Sequence, residues 1–289
     1  MLRGYHLGCP VWGHKDWVGR FFAAGSQPDA FLRQYASVFN AVEGNATFYG
    51  LPRATTVERW AQDTPGTFRF CFKFPQTITH DRRLVGAAAE TAAFLALLRP
   101  LGPRLGPLML QLPPGFGPDD LPQLAHFLRD LPRDLAYAVE LRHPAYFSGG
   151  DAEAGLDDLL TGLAMDRVIF DSRGLWDSDR SDPLVRAAQA RKPRLPVRLT
   201  VTGRSPVVRF VAHAQMDANR WLLKAWADQL ALWIGQGLEP FVFVHAPDEG
   251  LAPQLARQLH EQLSRRVDAG LLPPWPADAL PAVRQLGLF

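Results

Sequence analysis

Four stretches of the chain share one plan: a short apolar run, then a charged or amide side chain where the run ends. They are 39–45 (FNAVEGN), 68–74 (FRFCFKF), 108–111 (LMLQ) and 136–143 (AYAVELRH). Short apolar runs of this kind read as strands buried on both faces. Such a strand gains nothing by ending in Glu, Lys or Gln, because burying those groups is costly unless they are paired. The pattern therefore predicts a polar site gathered at strand ends.

Followed along the chain, the pattern predicts eight strands, at 5–8, 39–43, 68–74, 108–111, 135–140, 167–171, 207–211 and 241–245. Amphipathic helices are predicted between and after them at 29–38, 55–63, 87–99, 121–130, 156–164, 217–235 and 252–267. Pro65-Gly66 and Gly235-Gln236-Gly237 punctuate two of the returns to strand. From Glu43 to His245 the strand ends are spaced 29 to 40 residues apart, the size of one βα unit. Eight units in alternation predict an α/β fold, a (β/α)8 TIM barrel forming a single domain over 1–289. The connection at 172–205, between strands six and seven, is elaborated. It holds Trp176, a helix candidate at 183–191 and an apolar run at 195–201. A proline-rich tail at 271–289 is expected to wrap the exterior. No Gly-x-Gly-x-x-Gly follows the first strand, which argues against a dinucleotide-binding sheet.

Side chains alternate across a strand, so each polar end residue can be given a face. The inward set reads Ala41 and Glu43; Cys71 and Lys73; Met109 and Gln111; Ala138, Glu140 and Arg142; Ile169 and Asp171; Val207, Arg209 and Val211; Phe243 and His245. Most of the polar groups fall at the C-terminal mouth, where barrel enzymes build their active sites. Arg209 lies lower and suits a buried partner for a carboxylate. Neighbouring strands are about 4.8 Å apart, so Glu140 is expected to meet Asp171, and Glu43 to meet Lys73. A close carboxylate pair retains a proton or takes a cation between its members. The plainer alternative is a set of ion pairs, Glu140 with Arg142 or Arg209 and Glu43 with Lys73, holding the barrel top.

Composition narrows the partners. The 289 residues are 47% hydrophobic, enough for one large core. Lys plus Arg number 31 against 29 Asp plus Glu, so the overall balance gives no electrostatic case for nucleic acid or an anionic membrane. Cys9 and Cys71 are far apart and fit neither a disulfide framework nor a structural zinc site, which suggests a reducing, cytoplasmic setting. No secretory leader or bilayer-spanning run is visible, so a chain in solution that begins where it is written is expected.

The runs 39–51 (FNAVEGNATFYGL), 68–84 (FRFCFKFPQTITHDRRL), 105–114 (LGPLMLQLPP) and 139–144 (VELRHP) resemble the YecE-like family of bacterial proteins, known as domain of unknown function seventy-two. The resemblance implies a TIM barrel and a pocket, without a reaction. Its matching positions make Glu43, Asn45, Thr47, Tyr49, Lys73, Gln111, Glu140, Arg142, His143, Asp171 and Arg209 pocket residues. Two departures stand out. Cys9-Pro10-Val11-Trp12 replaces a Ser-Gly-Trp type turn, and His245-Ala246 replaces paired asparagines, which points to a subgroup and leaves its ligand open.

On these grounds Glu140, Asp171, Glu43 and Lys73 are the candidate catalytic residues. Asn45, Thr47, Tyr49, Gln111, Arg142, His143, Arg209, Trp12 and His245 are the candidate ligand contacts. The first functional expectation is an enzyme of hydrolase, lyase or isomerase type acting on a small polar, phosphorylated or sugar-like molecule. A metal-dependent isomerase or nuclease-like barrel is the second, with His143, His213 and His245 converging on Glu140 and Asp171, although no His-Glu-x-x-His run is present. A ligand-binding module without catalysis is the third. Which cofactor, if any, the site takes is left open by the sequence. Trp12, Trp17 and Tyr49 are candidate stacking walls, while Trp60, Trp221, Trp226 and Trp233 sit in helical patterns and read as packing. His80-Asp81-Arg82-Arg83 after strand three either lies over the mouth facing an anionic ligand or is a solvated loop. Arg82, Arg83, Arg173, Arg180 and Arg204 offer the one route to a local nucleic-acid patch.

Overall fold

A computed structural model describes residues 1–279. Its strands are β1 (His6–Gly8), β2 (Ala41–Gly44), β3 (Arg69–Phe72), β4 (Leu108–Gln111), β5 (Tyr137–Glu140), β6 (Asp166–Asp171), β7 (Val207–Val211) and β8 (Phe241–His245). Its helices are α1 (Pro28–Ala36), α2 (Ala46–Tyr49), α3 (Ala54–Asp63), α4 (Ala88–Leu98), α5 (Leu121–Asp130), α6 (Asp151–Gly162), α7 (Arg173–Asp177), α8 (Pro183–Gln189), α9 (Arg220–Gly235) and α10 (Ala252–Ser264). Proline occupies the first turn of α1, α5, α8 and α10, where its missing N–H costs no helical bond.

All strand pairs are parallel. They form a six-stranded sheet in the order β1-β8-β7-β6-β5-β4 and a two-stranded sheet of β2 and β3. The eight expected strands are therefore present, but not as one continuous ladder. Side chains and prolines interrupt it at two seams. Between β1 and β2, Asn40 accepts from the Leu7 N–H at 2.8 Å and donates to the Tyr5 carbonyl at 2.9 Å. The Tyr35 hydroxyl accepts from the Cys9 N–H at 2.7 Å and donates to the Ala41 carbonyl at 2.9 Å. Glycine is required at position 8, where a Cβ would stand 2.0 Å from the Ala41 oxygen. Between β3 and β4 only isolated bridges form, with Gly106 N–H on Phe70 O and Phe74 N–H on Met109 O, both 2.9 Å; Pro107 between them has no N–H to give.

The two strand faces are chemically distinct. Outward residues such as Val42, Phe70, Phe72, Val139 and Val208 join the helices in the main core. Inward residues Ala41, Cys71, Met109, Ala138, Val168, Val207, Phe241 and Phe243 form a second apolar cluster. This assignment corrects one strand. In β6 the inward residues are Val168 and Phe170, while Ile169 belongs to the outer core and Asp171 faces the helices.

The elaborated segment contributes α7 and α8, and its run at 195–201 has no regular structure. Val185 and Ala188 of α8 and Leu175 of α7 pack on Phe170 and Val211, the uppermost inward apolar residues of β6 and β7. The segment thus caps that side of the strand ends. Trp275 packs against Phe21 and under Arg257 on the exterior; the rest of the expected tail, from 280 and including Pro281, lies outside the described residues.

Candidate functional site

Above the inward apolar cluster sits a buried network of charged groups carried by β2, β3, β5, β7 and β8. Arg209 is its centre. Its Nε and Nη2 donate to the two oxygens of Glu43, each at 2.8 Å, and its Nη1 donates to Glu140 Oε2 at 2.6 Å. The same guanidinium lies over the Phe170 ring, 5.3 Å from its centroid. Lys73 Nζ stands 3.3 Å from Glu43 and donates to Gln111 Oε1 at 3.0 Å. His245 Nε2 is 2.9 Å from Glu43, and Arg142 Nε donates to Glu140 Oε1 at 2.8 Å.

Six residues expected at the site are thereby brought together around Arg209: Glu43, Lys73, Gln111, Glu140, Arg142 and His245. Glu43 is wholly buried, whereas Lys73 keeps 6% of its surface, Gln111 8% and the Arg142 side chain 13%. α7 and α8 cover β6 and β7, and the residual exposure of Lys73, Gln111 and Arg142 lies at the ends of β3, β4 and β5.

Burial would hold each of these carboxyls protonated, but the surrounding cations outweigh it. Arg209 and Lys73, with a hydrogen bond from His245, hold Glu43 well below the usual range, and Arg209, Arg142 and Lys73 hold Glu140 at about 2. Burial and the neighbouring Arg209 pull Lys73 down to about 8 despite the opposing pull of Glu43 and Glu140. Burial also lowers His245 to about 4, so its imidazole is neutral at pH 7 and its Nε2–H donates to Glu43. The network then holds three cations, Lys73, Arg142 and Arg209, against two carboxylates.

Several expectations are corrected. Asp171 does not meet Glu140: it accepts from Arg173 through both oxygens, at 3.0 and 2.8 Å, and from the Trp226 indole of α9 at 2.8 Å. Trp17 is fully buried, its indole donating to the Glu249 carbonyl at 3.0 Å, so it is no stacking wall. Trp12 packs edge-on against Trp60 and Phe70, on the helix side of β3. Asn45 donates to the Pro10 carbonyl at 2.9 Å and Thr47 to the Lys73 carbonyl at 2.6 Å, positions that brace the loops around the network. Tyr49 is 79% exposed. His143 accepts from Ala145 N–H through Nδ1 and His213 from Gln215 N–H, and among the described residues no group of three or more His, Cys, Asp or Glu is placed to hold a metal ion. Arg82 pairs with Glu90 at 2.6 Å, Arg83 with Asp120 at 2.7 Å and Arg173 with Asp171, so three of the five arginines offered for a basic patch have carboxylate partners. Trp221, expected in packing, is 53% exposed beneath Arg173.

Sequence reasoning missed Glu249. Its Oε2 is shut from solvent with no hydrogen-bond partner among the described residues, and burial, only partly offset by Lys192, pushes the carboxyl up to about 7. Lys192, from the elaborated segment, is itself pulled down by burial, with Glu249, Arg209 and Glu43 as charged neighbours. Asp248-Glu249-Gly250 reads as an ordinary polar turn, so no local signal marks it.

Parallel strands sandwiched with helices, and a buried ion network at the strand ends, define an α/β protein with a preformed polar centre. The family described as "Protein of unknown function DUF72" matches residues 6–280, and the chain belongs to it. It is 40% identical over 272 residues to the UPF0759 protein YecE of Escherichia coli K12, covering 94% of this chain and 97% of that one. The UPF0759 protein YunF of Bacillus subtilis is 29% identical over 152 residues, half of this chain and 52% of its own length. Crystal structures of DUF72 family proteins from Enterococcus faecalis and Thermotoga maritima each superpose with a TM-score of 0.68. They are 19% and 21% identical, covering 93% and 90% of this chain and 98% and 99% of theirs. No helix among the described residues is long and apolar enough to cross a membrane.

Proposed function

We propose that the chain is a single-domain (β/α)8 barrel enzyme that transfers protons on a small polar substrate at the C-terminal strand ends. Barrel closure is supported by the Asn40 and Tyr35 bonds across one seam and by the β3–β4 bridges across the other. The observation that carries the reaction is Lys73. Its ammonium lies between the buried carboxylate of Glu43 and the side chain of Gln111, which keeps 8% of its surface, and its proton is held near the pH at which a group can both give and take one. Glu43 and Glu140 are too acidic to serve as proton donors near neutral pH, so their role is to position and balance the cations.

Turnover screened over small phosphorylated, carboxylated and sugar-like compounds, followed by Lys73→Met, tests this. A loss of about a hundredfold or more is expected, within the usual range for removing an acid–base group, with the melting temperature kept within a few degrees. Unchanged turnover in a folded variant overturns the assignment. One observation favours a second reading, a binding module without chemistry: Arg209, Arg142, Lys73 and His245 between them already occupy both oxygens of Glu43 and of Glu140, as a rigid receptor would require. A tight ligand recovered unchanged after prolonged incubation is its mark.

A further inference from the structure

The hydrogen-bonding capacity left over at the network's open edge is one-sided. Both oxygens of Glu43 and both of Glu140 already accept charged or N–H donors, and Gln111 Oε1 is taken by Lys73. The donors are not used up. Among the described residues Gln111 Nε2 and both terminal nitrogens of Arg142 have no hydrogen-bond partner, and none of the three is shut from solvent. Lys73 has three N–H bonds and two neighbours, Glu43 and Gln111. His80, half-buried with Nδ1 against the Thr79 hydroxyl at 2.9 Å, has Arg142 and Lys73 among its charged neighbours. The acid beside it, Asp81, is exposed. The network also carries one more cation than it has carboxylates.

From this surplus of donors and positive charge we propose that the edge formed by Lys73, Gln111, Arg142 and His80 is an oxyanion site. It takes the phosphate or carboxylate group of a small-molecule substrate. The inference rests on the reading of the strand ends as an active site and supplies the substrate class. Arg142 is suited to the task because Glu140 holds its Nε, which fixes the guanidinium plane while its outer nitrogens present a fork that matches two oxygens of one anion. Gln111 is held by Lys73 so that its amide N–H2 turns outward. Lys73, Gln111 Nε2 and the outer nitrogens of Arg142 offer donors only, so a cationic substrate group would find no acceptor among them.

Isothermal titration of the full chain with inorganic phosphate, and separately with acetate, tests the proposal. Saturable binding of one anion per chain is expected. Arg142→Gln should weaken it about 10- to 100-fold, the usual effect of losing a charge-assisted hydrogen bond. Gln111→Glu, which turns a donor into a competing carboxylate at the same volume, should abolish it. Absence of saturable binding by both anions, or equal affinity in parent and folded variants, overturns the proposal. Binding of a short single-stranded oligonucleotide but of neither small anion also overturns it, in favour of nucleic-acid recognition. The two readings fail separately: anion binding with unchanged turnover in Lys73→Met removes the chemistry and leaves the site, whereas Lys73-dependent turnover without anion binding removes the site and leaves the chemistry.

Discussion

The guanidinium of Arg209 grips the carboxylate of Glu43 through two parallel bonds of 2.8 Å, although 166 residues separate them in the chain. Both side chains are removed from water, so neither gains from solvation, and the arrangement is stable only because every lone pair of Glu43 meets a donor. The grip also ties β7 to β2, members of different sheets.

Arg209→Met would remove two donors from Glu43 and one from Glu140, leaving both buried carboxylates short of hydrogen bonds. A loss of about 3–5 kcal/mol is expected, the usual result of removing one partner from a buried ion pair. Urea denaturation checks it, and a loss under about 1 kcal/mol would mean that Lys73, His245 and Arg142 suffice. Adding Glu43→Gln to the variant should recover part of the loss.

The acid limb of stability should belong to the two glutamates. Their folded pKa values lie below the unfolded one of about 4.3, so their contribution is present above that pH and is lost as pH falls through about 2 for Glu140, and for Glu43 as its own depressed pKa is passed. Lys73 acts at the other end. Its folded value of about 8 is below the unfolded lysine value, so the unfolded chain binds more protons between about 8 and 10.4 and stability rises with pH there. Stability measured by denaturant across pH 8 to 10.5 should lose part of that rise in Lys73→Met; an identical slope contradicts the assignment.

Glu249 has the opposite sign from the other two glutamates. Its folded pKa of about 7 exceeds the unfolded value, so the proton it holds in the folded state stabilises below about 4.3 and the benefit fades as pH rises to 7. Glu249→Gln, which keeps the shape without the charge, should therefore be more stable than the parent at pH 8 and close to it at pH 4. Thermal melts at the two pH values decide; a loss at pH 8 would show the carboxylate is needed ionised, as a partner of Lys192.

Asp171→Ala should cost stability and leave anion binding alone. It deprives the buried Trp226 indole N–H of its acceptor, worth about 1–3 kcal/mol, and frees Arg173 from its fork. Denaturation followed by tryptophan fluorescence, beside phosphate titration, separates the effects. Loss of binding with unaltered stability would return Asp171 to the site.

The polar ends of β2, β3, β4, β5, β7 and β8 were legible because each of those strands alternates a bulky face with a small or polar one. Strand β6 was not. Its run Arg167-Val168-Ile169-Phe170-Asp171 is apolar on both faces and charged on one, so alternation alone does not say which way the charge points. The decision lies in distant partners: Arg167 reaches Asp157 of α6 at 2.7 Å, and Asp171 reaches Trp226. The aromatic walls failed for a similar reason, since Trp17 is a ring among Phe21, Phe22 and Tyr35 rather than a surface.

Local alternation, strand spacing and the cost of burying an unpaired charge are properties of short stretches, and they were sufficient to locate the strand ends and to gather Glu43, Lys73, Gln111 and Glu140 at one place, although they put Asp171 there as well. Tertiary structure alone decided which cation answers which carboxylate, which edge stays open, and how far each proton is shifted. Those quantities depend on distances and desolvation between residues far apart in the chain, and no short window of sequence contains them.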